Sequence, residues 1–120
     1  MVNIIKLSII VLLLDSIFLY FIKDLFSKQI LSVQNSELQV NMLGVAICYF
    51  FIILSLYWFI IKDKKSLKDA FILGLCIYAV YEYTNYALLK NWNFKTTIID
   101  TLWGGTLFTL STYLYYNLKL

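Results

Sequence analysis

Four long apolar stretches occupy most of the chain, and they limit what it can fold into more than any other feature. They run roughly from residues 4 to 22, 40 to 61, 70 to 89 and 96 to 118, with only short polar breaks between them. A helix needs about 20 mostly apolar residues to cross the hydrocarbon core of a bilayer. The pattern therefore predicts an all-α fold, a four-helix transmembrane bundle in which residues 1–120 form a single integral membrane domain.

The composition excludes several classes of protein. Hydrophobic residues make up 62% of the chain and charged residues 14%, against roughly half and a quarter in soluble domains, so a water-soluble globule could not bury this much apolar side chain. His and Arg are absent, and the lysines form no basic stripe of the kind that binds nucleic acid. We expect no metal, no cofactor and no nucleic-acid partner; the expected partners are the lipid bilayer and further copies of the chain.

The first apolar stretch is predicted to stay in the mature protein rather than to be removed as a signal peptide. Asp15 lies inside it, Lys23 and Asp24 follow it, and it lacks a small-residue cleavage site. The next segment, residues 25–33, places apolar residues on one helical face. That pattern predicts either a short helix lying at the membrane interface or a plain loop.

The lysines predict the orientation. With four spans, the amino terminus, the second loop and the carboxyl terminus share one side of the membrane. That side carries Lys6, Lys62, Lys64, Lys65, Lys68 and Lys119, and the other carries Lys23, Lys28, Lys90 and Lys95. The positive-inside rule then predicts that both termini are cytoplasmic, while the kind of membrane stays open.

Aromatic residues near the ends of the stretches fit the belts that membrane proteins place at the interface. These residues are Trp58, Trp92, Tyr113, Tyr115 and Tyr116. Three tyrosines of the third stretch, Tyr81, Tyr83 and Tyr86, are expected to face lipid or the interface.

Three acidic residues lie inside the apolar stretches: Asp15, Glu82 and Asp100. An ionisable group at the centre of a span costs about 2.5 to 3.5 kcal/mol on insertion scales, so such residues are rare and suggest a functional site. At a rise of 1.5 Å per residue, all three lie roughly 6 to 10 Å from the non-cytoplasmic end of their span. We expect them to form one polar layer.

Other polar side chains share that depth. Tyr78, Glu82 and Asn85 follow helical spacing on one face of the third span, as Asp100 and Thr101 do on the fourth. Gly104 and Gly105 permit close approach of a neighbouring helix. The predicted ligand- or ion-binding residues are Asp15, Tyr78, Glu82, Thr84, Asn85, Asp100 and Thr101.

No lysine lies at the depth of these carboxyls. Burial without a positive partner disfavours the charged form of a carboxyl. Either a carboxyl holds a proton at rest, or the site binds an external cation or polar ligand. The alternative is that a protonated carboxyl bonds to Asn85 or Thr101 across helices and only holds the bundle together.

Two motifs point to a known family. Residues 81–92 read Tyr-Glu-Tyr-Thr-Asn-Tyr-Ala-Leu-Leu-Lys-Asn-Trp, and Asp-Thr-Leu-Trp-Gly follows at residues 100–104. They resemble the Tyr-acid-x-Thr-Asn and Asp-x-x-Trp-Gly motifs of domain of unknown function 2177, a family of small four-span membrane proteins, whose pattern also has an acidic residue matching Asp15. The resemblance implies a four-helix bundle with polar motifs in spans one, three and four, and implies no activity.

The chain departs from that pattern at three places. Ile17, Phe18 and Leu19 stand where Trp-Leu usually follows the first acid, Asn93 stands where Pro is usual, and Glu82 stands where the family commonly has Asp. These departures leave the fold expectation unchanged and weaken any inference that the pocket binds the same ligand.

Three functions fit the sequence. In the first, Asp15, Glu82 and Asp100 bind or move a proton, a cation or a small amine, although few polar side chains continue a path into the cytoplasmic half. In the second, paired carboxyls act as general acid and base on a lipid-like or isoprenoid substrate, but the chain has no nucleophile or metal motif, so an enzyme is not favoured. In the third, the protein is a structural or accessory subunit.

Overall fold

The computed structural model describes residues 3–118, which form a bundle of four helices. Helix α1 covers Ile4–Gln34, α2 covers Met42–Leu56, α3 covers Leu67–Leu88 and α4 covers Phe94–Asn117. Helix α2 continues into a π-helical turn, Tyr57–Ile61. These residues include no strand, so the all-α four-helix prediction is confirmed. Lys119, one of the lysines used to predict orientation, lies outside the described residues.

Each helix begins at a polar residue whose side chain accepts a hydrogen bond from a backbone N–H of the first turn. Such N-caps satisfy donors that have no partner within the helix. The capping residues are Asn3, Asn41, Ser66 and Asn93. Local sequence therefore fixes where the helices start.

Helix α1 is longer than its apolar stretch. The prediction that residues 25–33 form a separate interfacial helix or a loop is wrong, because α1 runs without a break to Gln34. Gln29, which is buried, donates from Nε2 to the Asn91 carbonyl (2.8 Å) and accepts at Oε1 from the Asn93 N–H (2.7 Å). The extension of α1 is thus packed against the loop between α3 and α4.

Helices α3 and α4 make the closest contact in the bundle. A Cβ atom added to Gly74 would lie 2.2 Å from the Gly104 carbonyl oxygen, and one added to Gly104 would lie 2.3 Å from Cγ of Tyr78. The two backbones can approach this closely only because both positions lack a side chain. Helix α2 packs much more loosely on the other helices.

Hydrogen bonds at the chain ends establish how the helices alternate. Lys6 Nζ donates to the carbonyl oxygens of Tyr115 (2.8 Å) and Leu118, where the C-terminus of α4 favours a positive charge. The Tyr116 hydroxyl donates to the Lys65 carbonyl (2.9 Å). The start of α1, the α2–α3 loop and the end of α4 therefore share one end of the bundle.

The distribution of polar residues differs between the helices. Helix α1, and α2 with its π-helical turn, are long and apolar enough to cross a membrane. Helices α3 and α4 are less apolar on average, and several of their polar residues, among them Glu82, Thr97 and Ser111, are buried. Their exposed surface carries Val80, Leu102 and other large apolar side chains. A helix of a water-soluble protein has the reverse distribution.

Candidate functional site

Asp15 connects three helices. Its side chain is 7% exposed, and both carboxyl oxygens accept hydrogen bonds: Oδ1 from Trp103 Nε1 of α4 at 2.8 Å, and Oδ2 from the Tyr49 hydroxyl of α2. Phe18, one turn further along α1, stacks on the Trp103 ring with centroids 4.5 Å apart. The Asp15 carboxyl is thus held in one orientation by partners from α2 and α4.

Glu82 is the most deeply buried of the three acids, with 0% exposure. Its Oε1 accepts a hydrogen bond from Trp92 Nε1 at 3.0 Å. No N–H or O–H group within residues 3–118 donates to Oε2; the Asp100 carboxyl of α4 lies within hydrogen-bonding reach of Glu82. A hydrogen bond between these two carboxyl groups would require a hydrogen on one of them, because an ionised carboxylate can only accept.

Trp92 reaches Glu82 because the loop that carries it is fixed by α1. Trp92 is 6% exposed and contacts Phe26 of the α1 extension edge to face, at 6.2 Å between centroids. The prediction that Trp92 belongs to an interfacial belt is therefore wrong. Trp58 does lie on the surface, with Lys62 Nζ 3.9 Å from the centre of its ring.

A cavity of about 640 Å³ lies among the four helices, and Asp15 and Asp100 both line it. Most of its wall is aromatic and aliphatic, and the phenol rings of Tyr49, Tyr78 and Tyr81 contribute the other large polar groups. Leu19 and Phe51, which also line the cavity, are largely exposed. The cavity therefore opens sideways, where the loosely packed α2 leaves a gap. We call it the acid-lined cavity.

The predicted site residues divide into two groups. Asp15, Tyr78 and Asp100 line the acid-lined cavity, and Glu82 lies behind Asp100. The other three are not part of its wall: Thr84 is exposed, Asn85 is half-buried near Tyr81, and Thr101 is buried with a hydroxyl that lacks a partner among residues 3–118.

For Tyr81, the expectation that the side chain faces lipid or the interface is incomplete. Its side chain is 50% exposed, yet it also forms part of the cavity wall instead of facing only lipid. Tyr83 and Tyr86 are both exposed and contact Phe94. Of these three tyrosines, only Tyr81 contributes to the site.

Sequence reasoning missed the aromatic donors. Trp103 follows Asp100 at the i+3 spacing that places two residues on neighbouring parts of one helical face, so its position could have been noticed. The contacts of Trp92 and Tyr49 could not be predicted from helical spacing, because they depend on a loop and on a separate helix.

The acidic residues of the cavity have no cationic partner in its wall among the described residues. No lysine belongs to its wall in the described part of the chain. The three carboxyls do not converge on a point, since residues 3–118 contain no group of three acidic or thiol side chains placed to hold one metal ion. The site therefore has two parts: the acid-lined cavity, and the Glu82–Asp100 pair at its edge.

A family model described as "Predicted membrane protein (DUF2177)" matches residues 1–117. Searches of curated proteins and of solved structures give no match.

Proposed function

The chain belongs to the DUF2177 family of predicted membrane proteins, and on that premise we propose that its acid-lined cavity binds a small organic cation, an amine-type group attached to an apolar body. One observation carries the proposal: Asp15 and Asp100, from different helices, line one mostly apolar cavity whose wall contains no lysine within residues 3–118. A carboxylate in an apolar environment is stabilised by a bound cation.

The rest of the wall suits the same class of ligand. The rings of Phe18, Tyr49 and Tyr78 line the cavity, and aromatic faces attract cations when water is excluded. Aliphatic and aromatic side chains supply the surface on which an apolar body would be buried. The lateral opening suits a ligand that partitions into the bilayer before it binds.

Binding is favoured over conduction by the apolar core. Buried aliphatic and aromatic side chains, including Leu7, Val11, Leu107 and Phe108, pack together between the carboxyls and the end that holds the termini. A charged solute moving through this region would lose its polar contacts, at a large cost in free energy.

We propose further that all four helices cross the bilayer with both termini in the cytoplasm. Helix α3 has 22 residues and α4 has 24, so at 1.5 Å per residue they measure about 33 and 36 Å, enough for a hydrocarbon core of about 30 Å. In a background that carries Cys48→Ser and Cys76→Ser, impermeant thiol reagents applied to intact cells should label Glu37→Cys and leave Lys64→Cys unlabelled. Labelling of Lys64→Cys alone would contradict this orientation.

The binding proposal is tested with a cation and a neutral molecule of similar shape. Methyltriphenylphosphonium should bind the full-length protein in lipid nanodiscs, whereas triphenylphosphine oxide should bind at least tenfold more weakly. Asp15→Asn and Asp100→Asn should each weaken phosphonium binding, and Glu37→Gln, which neutralises an exposed loop carboxyl, should not. Equal binding of the two probes would contradict the proposal.

A structural role is the second candidate, and one observation favours it. Both oxygens of Asp15 already accept hydrogen bonds, from Tyr49 and Trp103, so this carboxyl also joins α1 to α2 and α4. If joining helices is its only role, Asp15→Asn lowers the unfolding temperature and the wild-type protein shows no preference for the phosphonium probe.

A further inference from the structure

We propose that cation binding in the acid-lined cavity releases one proton, which leaves Asp100 while Glu82 keeps its own proton and donates it in a hydrogen bond to Asp100. This inference rests on the proposed function, because it describes how the same cavity changes its charge. It is carried by the position of Asp100, which lies in the cavity wall and also within hydrogen-bonding reach of Glu82.

Glu82 has the surroundings of a protonated carboxyl. It has no exposed surface, and its only hydrogen-bond donor in the described part of the chain is Trp92, which bonds Oε1. Oε2 meets no donor there, and its acidic neighbour Asp100 would repel a second negative charge. An isolated buried carboxylate is far more costly than a buried carboxylic acid. As an acid, Glu82 can donate its O–H to Asp100.

Asp100 differs because it reaches the cavity. The titratable groups that line the cavity with it are Asp15 from α1, Cys48 and Tyr49 from α2, and Tyr78 and Tyr81 from α3, and Glu82 of α3 lies beside it. None of them is cationic. We assign Asp100 a proton in the empty cavity, because a carboxylate there would lie in a mostly apolar wall beside another acidic side chain, with no cation facing it.

A bound cation reverses that preference. The O–H bond of Asp100 breaks and its proton passes to water, leaving a carboxylate that faces the cation and accepts the O–H of Glu82. One positive charge enters and one leaves, so the net charge of the site stays the same. The cavity therefore exchanges a proton for a cation without burying additional net charge.

Calorimetry can count the released protons. Methyltriphenylphosphonium is titrated into full-length protein in nanodiscs, in phosphate and in Tris, whose ionisation enthalpies differ. We expect about one proton released per bound cation, and an affinity that falls about tenfold for each unit of pH below the titration of Asp100. Glu37→Gln should behave as the wild type does.

Variants of the two acids identify the source of the proton. Asp100→Asn should bind the probe more weakly and release no proton. Glu82→Gln retains an N–H that can donate to Asp100, so proton release should persist, whereas Glu82→Leu removes that donor and should weaken binding further than Glu82→Gln does. Size-exclusion profiles establish that each variant is folded, and the pH dependence of the wild type tests the exchange without any variant.

The outcomes separate this inference from the proposed function. Phosphonium binding without proton release, at every pH where the protein is folded, overturns the exchange and leaves cation binding intact. Proton release that persists in Asp100→Asn and disappears in Glu82→Gln overturns the assignment of the proton to Asp100. Absence of selective phosphonium binding in the wild type overturns the proposed function itself.

Discussion

The two halves of the bundle are built from the same helices but differ in what lies between them: a buried apolar cluster in one and the acid-lined cavity in the other. In the half that holds the termini, which we call the apolar half, Leu7 and Val11 of α1 belong with Leu107 and Phe108 of α4 to one buried apolar cluster. The other half, which we call the polar half, starts at Asp15, one turn beyond Val11, and there α1 and α4 border the acid-lined cavity. The comparison indicates that the apolar half stabilises the fold, so the polar half can hold acidic residues that have no positive partner among the described residues.

The largest expected effect lies in the apolar half. Phe108→Ala removes a ring with 0% exposure and should lower the free energy of unfolding by about 3 to 5 kcal/mol, while phosphonium affinity changes little in the protein that remains folded. Phe50→Ala, at a ring that is 61% exposed, is the matched control and should have a small effect. If Phe108→Ala lost affinity for the phosphonium without losing stability, the assignment of stability to the apolar half and of binding to the polar half would be contradicted.

A smaller effect is expected at the α3–α4 contact, where the two halves meet. Gly104→Ala places a methyl group against the Tyr78 ring, which must move, and should cost about 2 kcal/mol of stability. Because Tyr78 also lines the cavity, this variant should lose affinity as well.

The control for that prediction is Gly44→Ala. An added Cβ there would have its nearest neighbour at 3.9 Å, so neither stability nor affinity should fall. Loss of stability without loss of affinity in Gly104→Ala would mean that Tyr78 does not shape the site.

The smallest effect on stability is expected for a substitution in the polar half. Trp92→Phe keeps an aromatic ring against Phe26 but removes the N–H donated to Glu82. It should cost about 1 kcal/mol of stability and should shift the pH dependence of phosphonium binding, because the Glu82–Asp100 pair has lost its only N–H donor in the described residues. Unchanged pH dependence would indicate that the pair and the cavity are independent. Chemical denaturation and calorimetry supply the two readouts.

The sequence alone predicted the number of helices and identified the acidic residues of the site. Long apolar stretches predicted four helices because backbone groups in an apolar environment must be hydrogen-bonded within a helix. Asp15, Glu82 and Asp100 were identified because acidic residues are rare in such stretches. Helical spacing also placed Tyr78 with Glu82, and the structure keeps both near Asp100.

What could not be predicted depends on contacts between distant segments. Periodicity shows which residues share a face of a helix, but it does not show which neighbour that face meets, so Thr84, Asn85 and Thr101 were included although they lie outside the cavity wall. The extension of α1 is stabilised by Gln29, whose partners lie at residues 91 and 93. That contact also determines where Trp92 lies, and no local pattern encodes it.

The central claim is that Asp15 and Asp100 together hold an organic cation. It can be tested most directly by solving the structure of the full-length protein with methyltriphenylarsonium, whose arsenic atom scatters anomalously. Cation binding predicts a single arsenic peak in the acid-lined cavity, between the two carboxyls, that disappears in the double variant Asp15→Asn, Asp100→Asn. An empty cavity with arsenic only on the outer surface of the helices would contradict it.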